Sequence, residues 1–235
     1  MARPVPAAAS SSLNASFYYF LTIISIKPGG SRNNRVVTVE FSDGSSLMLI
    51  TDYLRMGGDF VFLDDAENVS FNDYLGRELS SEEEEDFRFA SLCSNAEKIA
   101  LRLIARAEQN SLGITAKLEH RGYSSAVVKA VVSCLVARNL LDDERYAELW
   151  LRSRLAVKKG YSPQALLAGL CKRGISKSSS RKAMNKVLDP ETEYALLLRY
   201  IENGKFQEDN NTFSRKAQLK YEGFSTESLD RFFDK

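Results

Sequence analysis

The residues most suited to a chemical role are basic side chains at helical spacing between positions 142 and 188. Arg145, Arg152 and Lys159 recur every seven residues, which places them on one stripe of a helix. Guanidinium and ammonium groups bind phosphates and carboxylates. The predicted surface for a polyanion, either DNA phosphates or acidic protein patches, comprises Arg145, Arg152, Arg154, Lys158, Lys159, Lys172, Arg173, Arg181 and Lys182.

A second interpretation applies to the cations at predicted helix ends. Lys158, Lys159, Lys172 and Arg173 lie where a helix is expected to finish, and a positive side chain there complements the helix dipole. Position alone therefore does not assign these four side chains to binding.

The charge of the chain is unevenly distributed. Residues 95–188 contain 18 Lys and Arg against 7 Asp and Glu, a net charge of +11. Residues 1–94 carry −7 and residues 189–235 carry −3. A basic middle between acidic ends favours contact with nucleic acid or an acidic protein, and the alternative is a solvated helical face.

Few residues favour catalysis. Asp142 and Asp143 are adjacent and resemble a metal or acid–base pair, but their place at a helix start predicts a cap. His120 is the sole histidine and precedes a helix-ending glycine, so we expect it on the surface. Trp150 has core spacing. With no phosphate-binding loop and no nucleophile motif, we predict neither an enzyme nor a cofactor or metal site.

The cysteines do not form a recognisable site. Cys93, Cys134 and Cys171 are far apart and lie outside any C-x-x-C pair, which argues against a disulfide framework and a zinc site. We expect a reducing, cytoplasmic setting. The apolar run Phe17–Ile26 is too short to span a bilayer and is interpreted as a buried strand, the alternative being an uncleaved signal segment.

An internal repeat must position the basic residues. A seven-residue segment, L-x-x-[RE]-G-[YIF]-S, starts at Leu118, Leu170 and Leu219, with glycines 52 and 49 residues apart. The Leu ends the core face of one helix, the Gly turns the chain in a left-handed conformation, and the Ser caps the next helix. Each copy therefore predicts a tight corner between two helices.

Each repeat is predicted to contain three helices. The first begins at Asn95, Asp142 or Pro190, the second near Asn110, Ser162 or Thr212, and the third at Ser124, Ser176 or Ser225. Periods near fifty with helical patterning indicate stacked modules. We expect a mainly α fold of three tandem three-helix repeats forming an elongated curved array.

The N-terminal part of the sequence has a pattern typical of β-strands rather than of helices. We expect strands at Phe17–Lys27, Arg35–Phe41, Leu47–Thr51 and Phe60–Leu63, with a hairpin turn at Asp43-Gly44 and a capped helix start at Ser80. The predicted organisation is a disordered tail (1–16), a small β-rich unit (17–78), a connecting helix (79–94) and repeats at 95–139, 140–188 and 189–235.

The second repeat resembles one family specifically. Leu141-Asp142-Asp143-Glu144-Arg145-Tyr146-Ala147, then Arg152-Ser153-Arg154, then Lys159-Gly160-Tyr161-Ser162-Pro163 and Lys172-Arg173-Gly174-Ile175 are similar to the RecX pattern. The resemblance covers about 95–235. It departs at Gly113, at the insertion of Tyr161-Ser162 and at Gly169, and residues 53–72 resemble an insertion.

The resemblance implies a regulatory protein that binds the filament of RecA on single-stranded DNA. Such proteins restrain strand exchange, ATP turnover and co-protease activity and belong to DNA recombination, repair and the SOS response. The implied partners are RecA and the DNA within its filament, with no membrane, and we expect a monomer. The alternatives are a stand-alone nucleic-acid-binding protein that contacts DNA directly, and a nuclease using Asp142 and Asp143.

Overall fold

A computed structural model describes residues 21–29, 35–56, 59–60, 74–203 and 212–234. It is mainly helical with a small N-terminal antiparallel sheet, as predicted, and divides into two compact units, Met1–Ser91 and Leu92–Lys235. The predicted tail 1–16, the start of the first strand, the residues after Phe60 in the predicted fourth strand and most of the insertion 53–72 lie outside the described residues.

The first unit contains a three-stranded antiparallel sheet in the order β1-β2-β3. These strands are Ile23–Pro28, Val36–Phe41 and Ser46–Ile50, and Gly44 turns the β2–β3 hairpin with φ +81°. A 3-10 turn at Thr51–Tyr53 leads to the short pair β4 (Arg55–Met56) and β5 (Asp59–Phe60).

Alternation along β2 builds the core of this unit. Val37, Val39 and Phe41 are buried while their neighbours are partly exposed, because successive side chains of a strand point to opposite faces. Phe41 meets Phe87 edge-on at 6.3 Å between ring centroids. The apolar face of the sheet is thus covered by the start of the first helix.

That helix, α1, runs without interruption from Ser81 to Ile104. Its start is a capping box, in which the Glu83 N–H donates to Ser80 Oγ at 3.2 Å and the Ser80 N–H donates to Glu83 at 2.8 Å. The separate helix expected to begin at Asn95 is therefore wrong. No Gly or Pro lies between Ser81 and Ile104, so nothing in the chain stops the helix before Asn95.

The other helix starts agree with the sequence. The helices are α2 (Ser111–Glu119), α3 (Ser125–Ala137), α4 (Asp143–Leu155), α5 (Pro163–Cys171), α6 (Lys177–Val187), α7 (Pro190–Glu202), α8 (Thr212–Tyr221) and α9 (Thr226–Phe233). Asp189 caps α7, and the backbone N–H of Thr192 donating to its carboxylate lowers the pKa of Asp189.

The three corners, residues 118–124, 170–176 and 219–225, share one geometry. Gly122, Gly174 and Gly223 have φ of +87°, +80° and +92°. In each, the apolar residue after the glycine donates its N–H to the carbonyl of the corner leucine, at 3.3, 3.3 and 3.2 Å. This is the Schellman helix ending. Ser124, Ser176 and Ser225 then cap the following helices.

The same corners join one module to the next. A Cβ placed on Gly174 would lie 2.8 Å from the Cβ of Leu112, and Asn110 Nδ2 donates to the carbonyl of Arg173. One module further on, Pro163 lies 3.3 Å from the Cβ position of Gly223, and the Gln164 N–H donates to the carbonyl of Glu222 at 3.0 Å. The start of the second helix of a module thus packs on the corner of the following module.

We predict that replacing two corner glycines by alanine has unequal effects. The methyl of Gly122→Ala meets no atom of the described residues within 4 Å, so the cost is that of the left-handed backbone alone, about 1–2 kcal/mol. Gly174→Ala has the same backbone strain and must also displace Leu112, which adds roughly 1–3 kcal/mol. Chemical denaturation followed by circular dichroism measures both, and equal losses would contradict the stacking role of Gly174.

Candidate partner-binding surface

The acidic pair at the start of α4 is structural. Asp142 accepts hydrogen bonds from the Glu144 and Arg145 N–H groups at 2.9 and 3.0 Å and so caps α4. Asp143 accepts the Ser111 N–H at 2.8 Å and so ties α4 to the start of α2. Within the described residues, no group of three or more His, Cys, Asp or Glu side chains is placed to hold a metal.

Arg145 contributes to the contact between the first two modules. Its Nε donates to Glu108 at 2.8 Å, and its guanidinium approaches the carbonyls of Asn139 and Leu140 at 3.4 and 3.5 Å. Its side chain is partly exposed. A carboxylate and two carbonyls therefore already occupy much of the hydrogen-bonding capacity of this guanidinium.

The stripe expected from seven-residue spacing is shorter than predicted. Helix α4 ends at Leu155, so Lys158 and Lys159 lie beyond it and Lys159 does not continue the stripe of Arg145 and Arg152. Arg152 is 62% exposed, and its only ion pair within the described residues is a long one, 3.7 Å to Glu148. Arg152 is thus the member of the stripe most available to a ligand.

A second basic group forms around Trp150. The guanidinium carbons of Arg154 and Arg173 lie 5.2 and 4.7 Å from the centre of the indole ring, and Arg173 also donates to the carbonyl of Gly169 at 2.8 Å. Both separations are within the range of cation–π attraction. The sequence interpretation of Trp150 as a core residue holds in part, because its ring packs against the core and also supports two arginines.

Glycine 169 makes room for this arrangement. A Cβ at this position would lie 2.6 Å from Cη2 of Trp150. The departure from the RecX pattern at Gly169 is therefore matched by the presence of a large ring opposite it. The sequence carried one signal for this arrangement: Trp150 and Arg154 are four residues apart, as are Gly169 and Arg173, so each pair lies on one face of its helix.

Helix α6 faces α4 through paired charges. Lys182 contacts Glu144 at 3.2 Å, and Lys186 forms the same kind of pair with Glu148 one turn along. Both lysines are about two-thirds exposed, and the pair of Lys182 with the partly exposed Glu144 is worth little in water, roughly 0–1 kcal/mol. The ammonium groups remain accessible to a competing polyanion.

The predicted cations therefore divide between two flanks of α4. Arg152 and Arg154 are two residues apart, which separates them by about 160° around a helix, so they cannot lie on one face. Lys158, Lys172 and Arg181 are exposed and form no ion pair within the described residues. Lys159 is exposed and lies 5.7 Å from the centre of the Tyr161 ring.

The remaining sequence candidates have simple environments. His120 is exposed, as expected for a residue next to a helix end. Cys93 and Cys134 are buried, and Cys171 is exposed at the end of α5; none of the three forms a disulfide within the described residues. Among the described helices, none combines the length and apolar character needed to cross a bilayer.

Comparison with known proteins places this geometry in a family. Residues 142–184, which contain α4, α5 and most of α6, match a family model described as the second three-helix domain of RecX. The regulatory protein RecX of Treponema pallidum (strain Nichols) is 36% identical over 114 residues, which are 48% of this chain and 69% of that relative. This chain belongs to the RecX family.

Other RecX proteins extend the comparison. The regulatory protein RecX of Halorhodospira halophila is 31% identical over 136 residues, covering 55% of this chain and 81% of the relative. A crystal structure of regulatory protein RecX aligns with a TM-score of 0.61 at 18% identity, over 92% of this chain and 100% of that one, which shows a common fold. Membership of the RecX family supports a regulatory role.

We predict that Gly169→Ala lowers the free energy of unfolding by roughly 1–3 kcal/mol, because the added methyl collides with the benzo ring of Trp150. Trp150→Phe removes the colliding atoms. The double variant should therefore lose less stability than the two single variants lose together, with a coupling free energy of about 0.5 kcal/mol or more. Strict additivity in thermal unfolding would show that the two residues do not contact.

We predict that Arg145→Glu destabilises the fold by about 1 kcal/mol, because it places a second carboxylate beside Glu108. Arg145→Glu combined with Glu108→Arg restores an opposite pair and should recover most of this loss. The midpoint of urea unfolding measures both. A loss that persists in the exchanged pair would show that Arg145 is held by contacts other than Glu108.

Proposed function

We propose that this RecX-family protein binds the filament of RecA on single-stranded DNA and restrains its recombinase, ATPase and co-protease activities. Family membership is the observation that carries the proposal. It is supported by the accumulation of basic residues in the first two modules, net +11 over residues 95–188, of which +7 falls in the second module (140–188). Three cysteines that lie far apart and outside any C-x-x-C pair accord with the reducing conditions of the cytoplasm.

In this proposal the nine predicted cations have different roles. Arg152, Lys158, Lys172 and Arg181 are exposed and approach DNA phosphates or acidic residues directly. Lys182 leaves its exposed ion pair with Glu144 and binds the ligand instead. Lys159 contributes a positive charge from the loop after α4. Arg154 and Arg173 contribute guanidinium groups oriented by Trp150, and Arg145 acts chiefly by fixing α4.

The direct test is ATP hydrolysis by RecA on single-stranded DNA. We expect the purified protein to slow the steady-state rate at amounts below one copy per RecA subunit, because a bound regulator affects neighbouring subunits of a polymer. The measurement is a coupled ATPase assay with a matched amount of heat-inactivated protein as the control. An unchanged rate up to a severalfold excess would reject the proposal.

We predict that Lys172→Glu with Arg181→Glu weakens filament binding by about tenfold or more while leaving the helical content unchanged. Both side chains are exposed and form no ion pair within the described residues, so the fold does not depend on them. The measurement is fluorescence anisotropy on preformed filaments.

A matched control separates this surface from total charge. Arg106→Glu with Lys129→Glu also reverses two exposed cations, in the first module, and changes net charge by the same amount. We expect a much smaller effect. Equal losses in the two double variants would show that the second module holds no dedicated surface.

The alternative, direct DNA binding without RecA, is favoured by the same basic region. It predicts tight binding to bare single-stranded DNA, with log affinity falling steeply as log salt rises. Strong binding to the filament with weak binding to bare DNA at equal salt would favour the RecA proposal.

A further inference from the structure

A continuous segment of the second module contains no carboxylate side chain. From Leu149 to Leu188 the sequence has ten Lys and Arg and no Asp or Glu. This segment comprises the second half of α4, the whole of α5 and α6, and the loops between them. Protein surfaces generally intersperse both signs of charge, whereas a nucleic-acid backbone carries one negative charge at every nucleotide. The absence of acids over this length therefore favours a nucleic acid as the ligand of these elements.

Two arginines of this segment share one aromatic ring. The guanidinium carbons of Arg154 and Arg173 lie 5.2 and 4.7 Å from the centre of the Trp150 ring, so they are at most about 10 Å apart. Neither arginine forms an ion pair within the part of the chain that the structure describes. Like charges at this separation repel one another, and an anion bound to both relieves the repulsion.

Most hydrogen-bond donors of these two arginines are unused. The side chain of Arg154 makes no hydrogen bond to any described residue, so its five N–H groups lack a protein acceptor and the ring alone positions it. Arg173 donates one N–H to the carbonyl of Gly169 at 2.8 Å. A guanidinium presents its remaining N–H groups as a planar fork that fits two phosphate oxygens at once.

The first module shows the same corner without the ring. Arg121 directly precedes Gly122 as Arg173 directly precedes Gly174, and each arginine donates to the carbonyl four residues before it. Arg121 is exposed, and no aromatic ring of the described residues lies within cation–π distance of it. The corner geometry therefore does not require a stacked arginine, and the indole is what distinguishes the second module.

We infer that Trp150 holds Arg154 and Arg173 as a clamp for the phosphodiester backbone of a nucleic-acid strand. Trp150 is a positioning residue in this clamp, because the ring orders two long side chains before the ligand arrives. Ordering that precedes binding does not have to take place on binding, which raises the affinity. The clamp names the chemical group bound by one part of the surface proposed above. Only the identification of the strand as DNA of the RecA filament rests on the proposed function.

Fluorescence anisotropy with a labelled oligothymidylate of about 15 nucleotides, at low salt and without RecA, tests the clamp. We expect Arg154→Lys to weaken binding about fivefold at unchanged net charge, because an ammonium group lacks the planar fork. Arg121→Lys is the matched control, and its effect should be less than about twofold because no ring positions that arginine. Equal losses in the two variants would overturn the inference.

Variants of Trp150 test the positioning role. Trp150→Leu removes the ring and should weaken binding about fivefold, while Trp150→Phe keeps an aromatic face and should recover most of the loss. In the Trp150→Leu background, Arg154→Lys should weaken binding by less than about twofold, because the clamp is already lost. Circular dichroism checks the helical content of each variant. Losses that multiply independently would show that the ring does not act through Arg154. Should the leucine variant not fold, the comparison of Arg154→Lys with Arg121→Lys still decides.

Two further ligands identify the bound group. An abasic strand of equal length keeps every phosphate and has no bases, so its affinity should lie within about threefold of that of oligothymidylate. Loss of binding to the abasic strand would indicate base stacking, and equal competition by polyglutamate of the same charge would indicate an acidic protein ligand. Either result would overturn the phosphate clamp. Phosphate binding as expected, with RecA ATPase unaffected, would reject the proposed function and leave the clamp standing.

Discussion

The left-handed glycine that ends the second helix of every module is the constraint on which the rest of this structure depends. The positive φ at Gly122, Gly174 and Gly223 turns the chain within one residue. The leucine and the apolar residue on either side of the glycine then end one helix, and the serine that follows caps the next. At Gly174 and Gly223 the missing Cβ has a second effect, because it leaves room for the preceding module to pack against the corner. One residue type thus fixes both the fold of a module and its stacking.

The fold also determines which basic residues of the second module are accessible to a partner. Glu108 pairs with Arg145, so part of the positive charge stabilises the contact between the first two modules. Other cations, such as Arg152 and Arg181, face solvent. A large net charge therefore overstates the charge available to a partner, and accessibility separates the residues that support the proposed function from those that support the fold.

The repeat, the helix starts at capping residues and the corners were predictable from the sequence, because hydrogen bonds among residues close in the chain determine them. Two expectations were wrong for physical reasons. Asn95 is a residue type that favours a helix start, but α1 continues through it, because a capping residue does not end a preceding helix that contains no Gly or Pro. The seven-residue spacing puts Lys159 on the stripe of Arg145 only if the helix reaches it, and α4 ends four residues earlier, at Leu155.

By itself the sequence determined the family, the module count and the position of every corner, since each rests on local pattern. Only the tertiary structure decided which charges pair, that Trp150 orients Arg154 and Arg173 opposite Gly169, and that Leu112 and Gln164 pack on Gly174 and Gly223. Those facts depend on contacts between residues tens of positions apart. The distance between such residues is set by the packing of whole helices, which no short pattern encodes.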